Sequence, residues 1–394
     1  MKFIDEIDIK GKRILGRFDF NVPLSAGEIQ DASRIKAALP TIEYILKQGG
    51  RLIACSHLGK PKGKVVSELS LRPVARKLEE LLSVEVKMAP DCIGEDVEKM
   101  VSDMGEGEIV VLENLRFHEG ETKNDPLFSK ALASLGEIYM NDAFGVVHRA
   151  HASVVGVPEQ MQEVCAGFLI KKEIEYLNNY LSKPEHPYVL IAGGAKVSTK
   201  LGILNSLMEK VDRIIVGGAM ANTFRKAEGY GIGASIYEEE LVDKAKEIIE
   251  KARERGTSFY LPVDYVLGKD IKNEAPLGVC PYQDVSEDGK IFDIGPASHT
   301  LFAEVLKDAR TVVWNGPMGV FENPSFSQGS FGLAHSVAAV EGVTIVGGGD
   351  TDNLIHRCNL ADKITFISTG GGSFLEFLEG KQLPGLKALG LYEG

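Results

Sequence analysis

Residues 188–200, YVLIAGGAKVSTK, read as an apolar run closed by paired glycines, with two lysines four positions apart beyond them. Five consecutive apolar residues suit a strand covered on both faces, as in a parallel sheet, better than a strand with one wet face. The glycines lack the G-x-x-x-x-G-K-[ST] order of a phosphate loop. If a helix begins near Val197 or Ser198, Lys196 lies just before it and Lys200 within its first turn, so both ammonium groups reach over the strand end. The helix dipole disfavours a lysine there unless an anion is present. The spacing therefore points to phosphate, against the alternative of two solvated lysines on a polar turn.

The same kind of run recurs along the chain. RILGRF (13–18), RLIAC (51–55), EIVVL (108–112) and EIYMN (137–141) precede it, and RIIVG (213–217), TVVWN (311–315), VTIVG (343–347) and KITFI (363–367) follow. Between them lie amphipathic patterns such as LRPVARKLEELL (71–82) and EEELVDKAKEIIEKARER (238–255). This alternation implies a doubly wound α/β fold with parallel sheets. FLIKKEIEYLNNYLSK (168–183) has helical spacing at Leu169, Ile170, Ile174, Leu177 and Leu181 and is followed by Pro184 and Pro187. It is expected to connect two α/β domains, in keeping with a length of 394 residues.

Composition narrows the function. The net charge of −12, negative in both halves, argues against general nucleic-acid binding, so any anion site must be a local cluster. Five scattered cysteines without a C-x-x-C pair suit a reducing compartment. MKFIDEIDIKGKR is too charged for a signal peptide, and no apolar run approaches the ~20 residues of a membrane span. A cytoplasmic protein with no membrane partner is expected.

Ligands of doubly wound folds sit beyond the carboxyl ends of the strands, where the polar motifs of this chain fall. In the first half these ends carry Arg17, Asp19 and Asn21, then His57 and Lys60, then Arg116, then His148, Arg149 and His151, while Arg34 opens the helix after the first loop. Any one of them has an ordinary reading as a solvated loop residue. Gathered at one sheet edge, such cations would repel one another and require an anionic ligand, for which arginine offers a planar donor fork. His148 and His151 could instead suggest a metal, but no Cys or second acidic ligand with suitable spacing is nearby, and Arg149 between them opposes a cation.

In the second half, IAGGAKVSTK, VGGAMANTF, DIGP, WNGPMGVFE, VGGGDTDN and STGGGS place glycines after strand after strand. A single glycine there only permits a turn. Repetition suits the approach of backbone N–H groups to an anion. The lack of G-x-G-x-x-G weakens a dinucleotide reading and favours a mononucleotide. Asp350 offers a hard oxygen to a phosphate-bound Mg²⁺; Asp352 and Glu322 are weaker candidates, with a helix N-cap and a ribose-hydroxyl acceptor as their alternative roles.

RFDFNVP, SHLGKP, ENLRF, NDAFGVVHRAHAS, GGAKVSTK, WNGPMGVFE, GGGD and STGGGS occur here in the order and approximate spacing of one family, and the chain resembles the phosphoglycerate kinase family from end to end. The resemblance implies two Rossmann-like domains facing across a cleft: residues 1–167 for 3-phosphoglycerate, a connecting helix at 168–183, residues 184–379 for Mg-nucleotide, and a tail at 380–394 returning to the first domain. It implies reversible transfer of the acyl phosphate of 1,3-bisphosphoglycerate to MgADP, giving 3-phosphoglycerate and MgATP, by in-line transfer with domain closure in a monomer. Its substrate residues fall on Asp19, Phe20, Asn21, Arg34, His57, Leu58, Gly59, Lys60, Arg116, Arg149 and His151. Its nucleotide residues fall on Gly194, Lys196, Lys200, Asn315, Glu322, Gly347, Gly348, Gly349, Asp350 and Thr351, with Asp350 on the metal. Arg34, Lys200, Gly371 and Gly372 take catalytic places, and Gly370 lies in the same glycine turn. One departure is Lys60, which stands where the family commonly has arginine and loses the bidentate fork. Another carboxylate kinase, or a hinged binding protein without turnover, would share much of this architecture.

Overall fold

The structure is a computed structural model and describes residues 1–272 and 275–392. The chain divides into two compact units, Met1–Glu175 with the segment from Gln382 onward, and Tyr176–Lys381.

In the first unit, six strands lie in the order Val86–Met88, Ile109–Val111, Arg51–Cys55, Arg13–Arg17, Ile138–Asn141 and Val164–Ala166, and every pairing is parallel. The central strands are the apolar runs expected, buried because helices cover both faces. Helix Ser33–Lys47, for example, buries Ile35, Ala38, Ile42 and Ile45 at helical spacing. The edge strands Val86–Met88 and Val164–Ala166 were not among the runs read from the sequence. With three residues each, they are too short to show a continuous apolar signature. Parallel register sets Arg17 beside both Cys55 and Asn141 at the carboxyl ends of the central strands.

FLIKKEIEYLNNYL forms one helix, Phe168–Leu181, with Ile170, Ile174, Leu177 and Leu181 buried. Asp142 starts it, since its Oδ1 accepts the N–H groups of Leu169 at 2.8 Å and Ile170 at 3.2 Å. The division between the units falls within this helix.

The second unit has six parallel strands in the order Ser258–Tyr260, Arg213–Val216, Tyr188–Ala192, Thr311–Asn315, Val343–Gly347 and Phe366–Ser368. In chain order this is 3-2-1-4-5-6, so the direction of winding reverses between Tyr188–Ala192 and Thr311–Asn315, the switch point where a ligand crevice forms. The last strand corrects the reading of KITFI: Lys363 ends a 3₁₀ turn and the strand is Phe366–Ser368. Thr344 and Thr365 exchange side-chain-to-backbone bonds at 3.0 and 3.1 Å where ladder bonds would otherwise begin. A three-stranded antiparallel sheet, Gly278–Pro281, Asp264–Gly268 and Lys290–Ile294, is an addition to the parallel pattern. It has a small core of its own in Ile232, Tyr265, Leu267 and Ile291.

The segment from Gln382 contains a short helix, Pro384–Ala388, and buries Leu383, Leu386 and Leu389 in the first unit. Gly385 N–H donates to the carbonyl of Val147 at 2.8 Å. Among the described residues, no helix is long and apolar enough to cross a membrane.

Candidate functional site

At the carboxyl ends of the first sheet, Lys60, Arg116, Arg149 and His151 line one cavity of about 460 Å³. Lys62 and Lys123 also line it, so five cations face one carboxylate, Glu119, which is itself paired with Lys123. In a chain of net charge −12, this concentration of positive charge is the local anion site that composition required. Arg116 is buried, donates from Nη1 to the carbonyl of Gly59 at 2.7 Å, and leaves Nε without a protein partner. Burial, then the charges of Arg149 and Arg17, push its pKa down to about 10. An incoming anion would relieve the crowding of like charges.

The histidines here are neutral. Burial, then Arg116 and Arg149, lower His151 to about 4, and burial with Arg149 lowers His148 to about 4. The Glu121 carboxylate 3.8 Å from His151 Nδ1 pulls the other way, but desolvation and the arginines outweigh it. His57 is held well below the usual histidine range by burial and then by Arg17. Arg17 Nη2 lies 3.1 Å from His57 Nδ1; guanidinium can only donate, so Nδ1 accepts and the His57 proton is on Nε2.

Several expected residues hold the site in shape from behind it. Arg17 is wholly buried, donating to Ser153 Oγ at 2.9 Å, while that hydroxyl donates to Glu121 Oε1 at 2.6 Å. It is therefore part of a buried, compensated network, not a free cation as its sequence position suggested. Glu121 gave no sequence signal, because HEGETKND reads as an exposed turn. Arg34, expected to be unpaired, bonds Asp19 at 2.5 Å, and neither lines the basic cavity. Asn21 Oδ1 accepts the N–H of Gly59 at 2.8 Å and ties the first loop to the second. Phe20 and Leu58 belong to the hydrophobic core, with Phe20 stacked on Phe18, so their side chains pack inside the unit.

In the second unit the glycine turns meet at the switch point. Gly193 N–H donates to the carbonyl of Asn315 at 2.9 Å, and Gly194 N–H to that of Pro317 at 2.9 Å. Lys200 is buried and bonds Asn315 Oδ1 through Nζ, and Asn315 Nδ2 donates to the carbonyl of Gly347 at 2.5 Å. One lysine and one asparagine thus lock three strand-end turns together. Thr351 is buried and accepts the N–H of Gly316 at 2.7 Å. A cavity of about 300 Å³ opens among Gly193, Gly194, Lys200, Asn315, Gly348, Gly349, Asp350, Gly371 and Gly372. A larger one, about 570 Å³, shares Gly194, Pro317 and Asp350 and is walled by Ala219, Ile236, Phe292, Met318 and Val320, with Glu322 at its lining. The first is lined mainly by glycines and polar side chains, the second largely by apolar ones. The walls contributed by Ile236 and Phe292 had no sequence signal, since each lies in or beside the unexpected antiparallel sheet.

Of the lysine pair Lys196 and Lys200, only Lys200 reaches the cavity. The helix is Leu201–Leu207, with Lys200 at its N-cap position rather than within its first turn. Ser198 N–H and Oγ are bound to Glu238 at 3.0 and 2.5 Å, which holds the preceding residues in a turn. Lys200 therefore points into the cavity, whereas Lys196 is exposed and lines neither cavity. Burial pushes the Lys200 pKa down to about 8, with Asp350 partly opposing the shift. Asp350 is exposed in the first turn of helix Gly349–Arg357, whose N-cap is Gly348, so it is not a capping residue. Asp352 is bound to His356 at 2.8 Å.

The phosphoglycerate kinase family model matches residues 4–381. The chain belongs to the phosphoglycerate kinase family. It is 56% identical over 394 residues to the phosphoglycerate kinase of Maridesulfovibrio salexigens, covering 99% of each chain. It is 52% identical to that of Geobacter metallireducens, covering 99% of this chain and 98% of the other. The solved phosphoglycerate kinase of Coxiella burnetii superposes with a TM-score of 0.87 at 41% identity, and that of Pyrococcus horikoshii OT3 with 0.87 at 32%, each covering 99% of both chains. Family membership makes the chain a phosphotransferase of glycolysis that acts on 3-phosphoglycerate and ATP or ADP.

Proposed function

We propose that the basic cavity of the first unit binds 3-phosphoglycerate or 1,3-bisphosphoglycerate, and that the glycine cradle of the second binds the nucleotide. The observation that carries this reading is Lys200, a buried ammonium fixed by Asn315 at a glycine-lined cavity that continues into a larger, apolar-walled one. Arg116 and Arg149 hold the anionic ends of the sugar acid, His57 donates a hydrogen bond from Nε2, and Lys60 adds charge without a fork. Asp19 orients Arg34, which neutralises the transferring phosphoryl group from the substrate side. Lys200 does so from the nucleotide side, with Gly371 and Gly372 presenting backbone amides.

No general base is needed. The acceptor carboxylate is already ionised at neutral pH, which fits a site whose histidines are neutral hydrogen-bonding groups. Positioning and charge neutralisation remain, as for phosphoryl transfer generally. Asp350, an exposed carboxylate lining both nucleotide cavities, suits a Mg²⁺ that takes few protein ligands and keeps its waters. Mg²⁺ supplies neutralisation of the polyphosphate. With ligands on separate units, in-line transfer proceeds by closure, in a cytoplasmic monomer.

The purified protein should form ATP from ADP and 1,3-bisphosphoglycerate; a folded chain that does not would overturn the proposal. Asp350→Ala should raise the Mg²⁺ concentration for half-maximal activity, and Arg34→Ala should lower turnover much more than nucleotide affinity. Unchanged magnesium dependence in the first, or unchanged turnover in the second, removes that residue from its role.

A further inference from the structure

Away from both cavities, the loop after strand Val86–Met88 meets the end of the 3₁₀ turn Leu115–Phe117. Asp91 and Cys92 come from the loop and His118 from the residue that ends the turn. One oxygen of Asp91, Sγ of Cys92 and a ring nitrogen of His118 all lie within 4.8 Å of one another, the one such group of three among the described residues. His118 Nε2 is 2.7 Å from Asp91 Oδ1, and the same oxygen accepts the Cys92 N–H at 2.7 Å. Cys92 is fully buried, whereas Asp91 and His118 are partly exposed, so the group has a dry sulfur end and a side open to solvent.

We propose that Asp91, Cys92 and His118 form a binding site for one zinc-like divalent cation, with the fourth position left to water. Mixed sulfur, nitrogen and oxygen donors select a borderline-soft ion and disfavour Mg²⁺. Bonds of about 2.0–2.3 Å place tetrahedral donors roughly 3.5 Å apart. Binding therefore opens the short His118–Asp91 contact slightly and draws the sulfur in. The thiol loses its proton to solvent, the imidazole proton moves from Nε2 to Nδ1, and the carboxylate is already ionised. One proton leaves, and thiolate and carboxylate together balance the charge of the ion. Because His118 follows Arg116 by two residues, the ion would pin the turn that carries a substrate-site arginine.

Cobalt(II) tests this on the full chain, in buffer containing Mg²⁺ to occupy the nucleotide-side site. One Co²⁺ should bind per chain, with a thiolate-to-cobalt charge-transfer band in the near ultraviolet, release of one proton, and displacement by Zn²⁺. His118→Asn, a partly exposed position that leaves the core intact, should weaken binding at least about tenfold. Cys92→Ser should abolish the charge-transfer band; circular dichroism checks that it folds. A saturated wild-type protein without the band, or affinity unchanged in His118→Asn, overturns the site and leaves Asp91–His118 as a structural hydrogen bond.

Discussion

Lys200 is a cation stored where water cannot reach it easily. With its pKa at about 8, the free site loses its charge as pH rises through that value, and a bound polyphosphate must restore it. MgATP affinity should accordingly fall above about pH 8 in the wild type. In Lys200→Met, affinity should be at least about tenfold weaker at neutral pH and this pH limb should vanish; binding calorimetry between pH 6.5 and 9.5 measures both. The same group destabilises the fold: the unfolded chain, with lysine near its ordinary ~10.4, binds more protons between about 8 and 10.4. This contribution makes stability rise with pH across that window. His148 and His151, lowered to about 4, act at the other end. Their neutral forms contribute stability fully above about pH 6.5, and it is lost as pH falls towards 4, because the unfolded histidines take up protons first. His151→Gln should flatten the fall of melting temperature between pH 6.5 and 4.5, and an identical slope would mean that His151 does not titrate with unfolding.

At the scale of elements, the proposed nucleotide cradle is a set of strand-end turns held in contact by polar side chains. Gly348 has φ +100°, and a Cβ there would lie 2.6 Å from Asn315 Nδ2. Gly348→Ala should cost about 1–3 kcal/mol from backbone strain and, by moving Asn315, should release Lys200 and raise the KM for MgATP about tenfold or more. Gly229 provides the control: it has φ +88°, but a Cβ there would meet nothing within 4 Å. Gly229→Ala should share the loss of stability and leave the KM unchanged. Equal KM values in the two variants would show that the contact with Asn315 is irrelevant to nucleotide binding. The element boundaries also show where local patterns lose their grip. Apolar periodicity reports buried faces, so it located the central strands and helix Phe168–Leu181. The start of the helix after Val197 was decided by Glu238, forty residues away in the chain, and no local pattern contains that bond.

At the scale of the whole molecule, the segment from Gln382 buries Leu383, Leu386 and Leu389 in the first unit. Exposing such side chains costs about 1.5–3 kcal/mol each, a large share of a typical domain's ~5–15 kcal/mol. Deleting residues 382–394 should lower the first thermal transition by roughly 10 °C or more, and calorimetry that shows no change would mean the segment adds nothing to that unit. The proposed closure has its own check in small-angle scattering. The radius of gyration should be smaller with both ligands bound than with either alone, and identical values in all states would sink it.

The sequence by itself determined the α/β class, the parallel sheets, the glycine turns at strand ends and the family, because these depend on local patterns and on motif order. It also named Lys60, Arg116, Arg149 and His151, which one cavity brings together, and Lys200, Asn315 and Asp350, which share another. Only the tertiary structure decided which charges are free. Arg17 is compensated through Ser153 by Glu121, and Arg34 by Asp19. Lys196 stays in solvent while Lys200 is drawn under Asn315. The reason is that the energy of a charge depends on its burial and on partners distant in the chain, and neither is a property of the residues beside it.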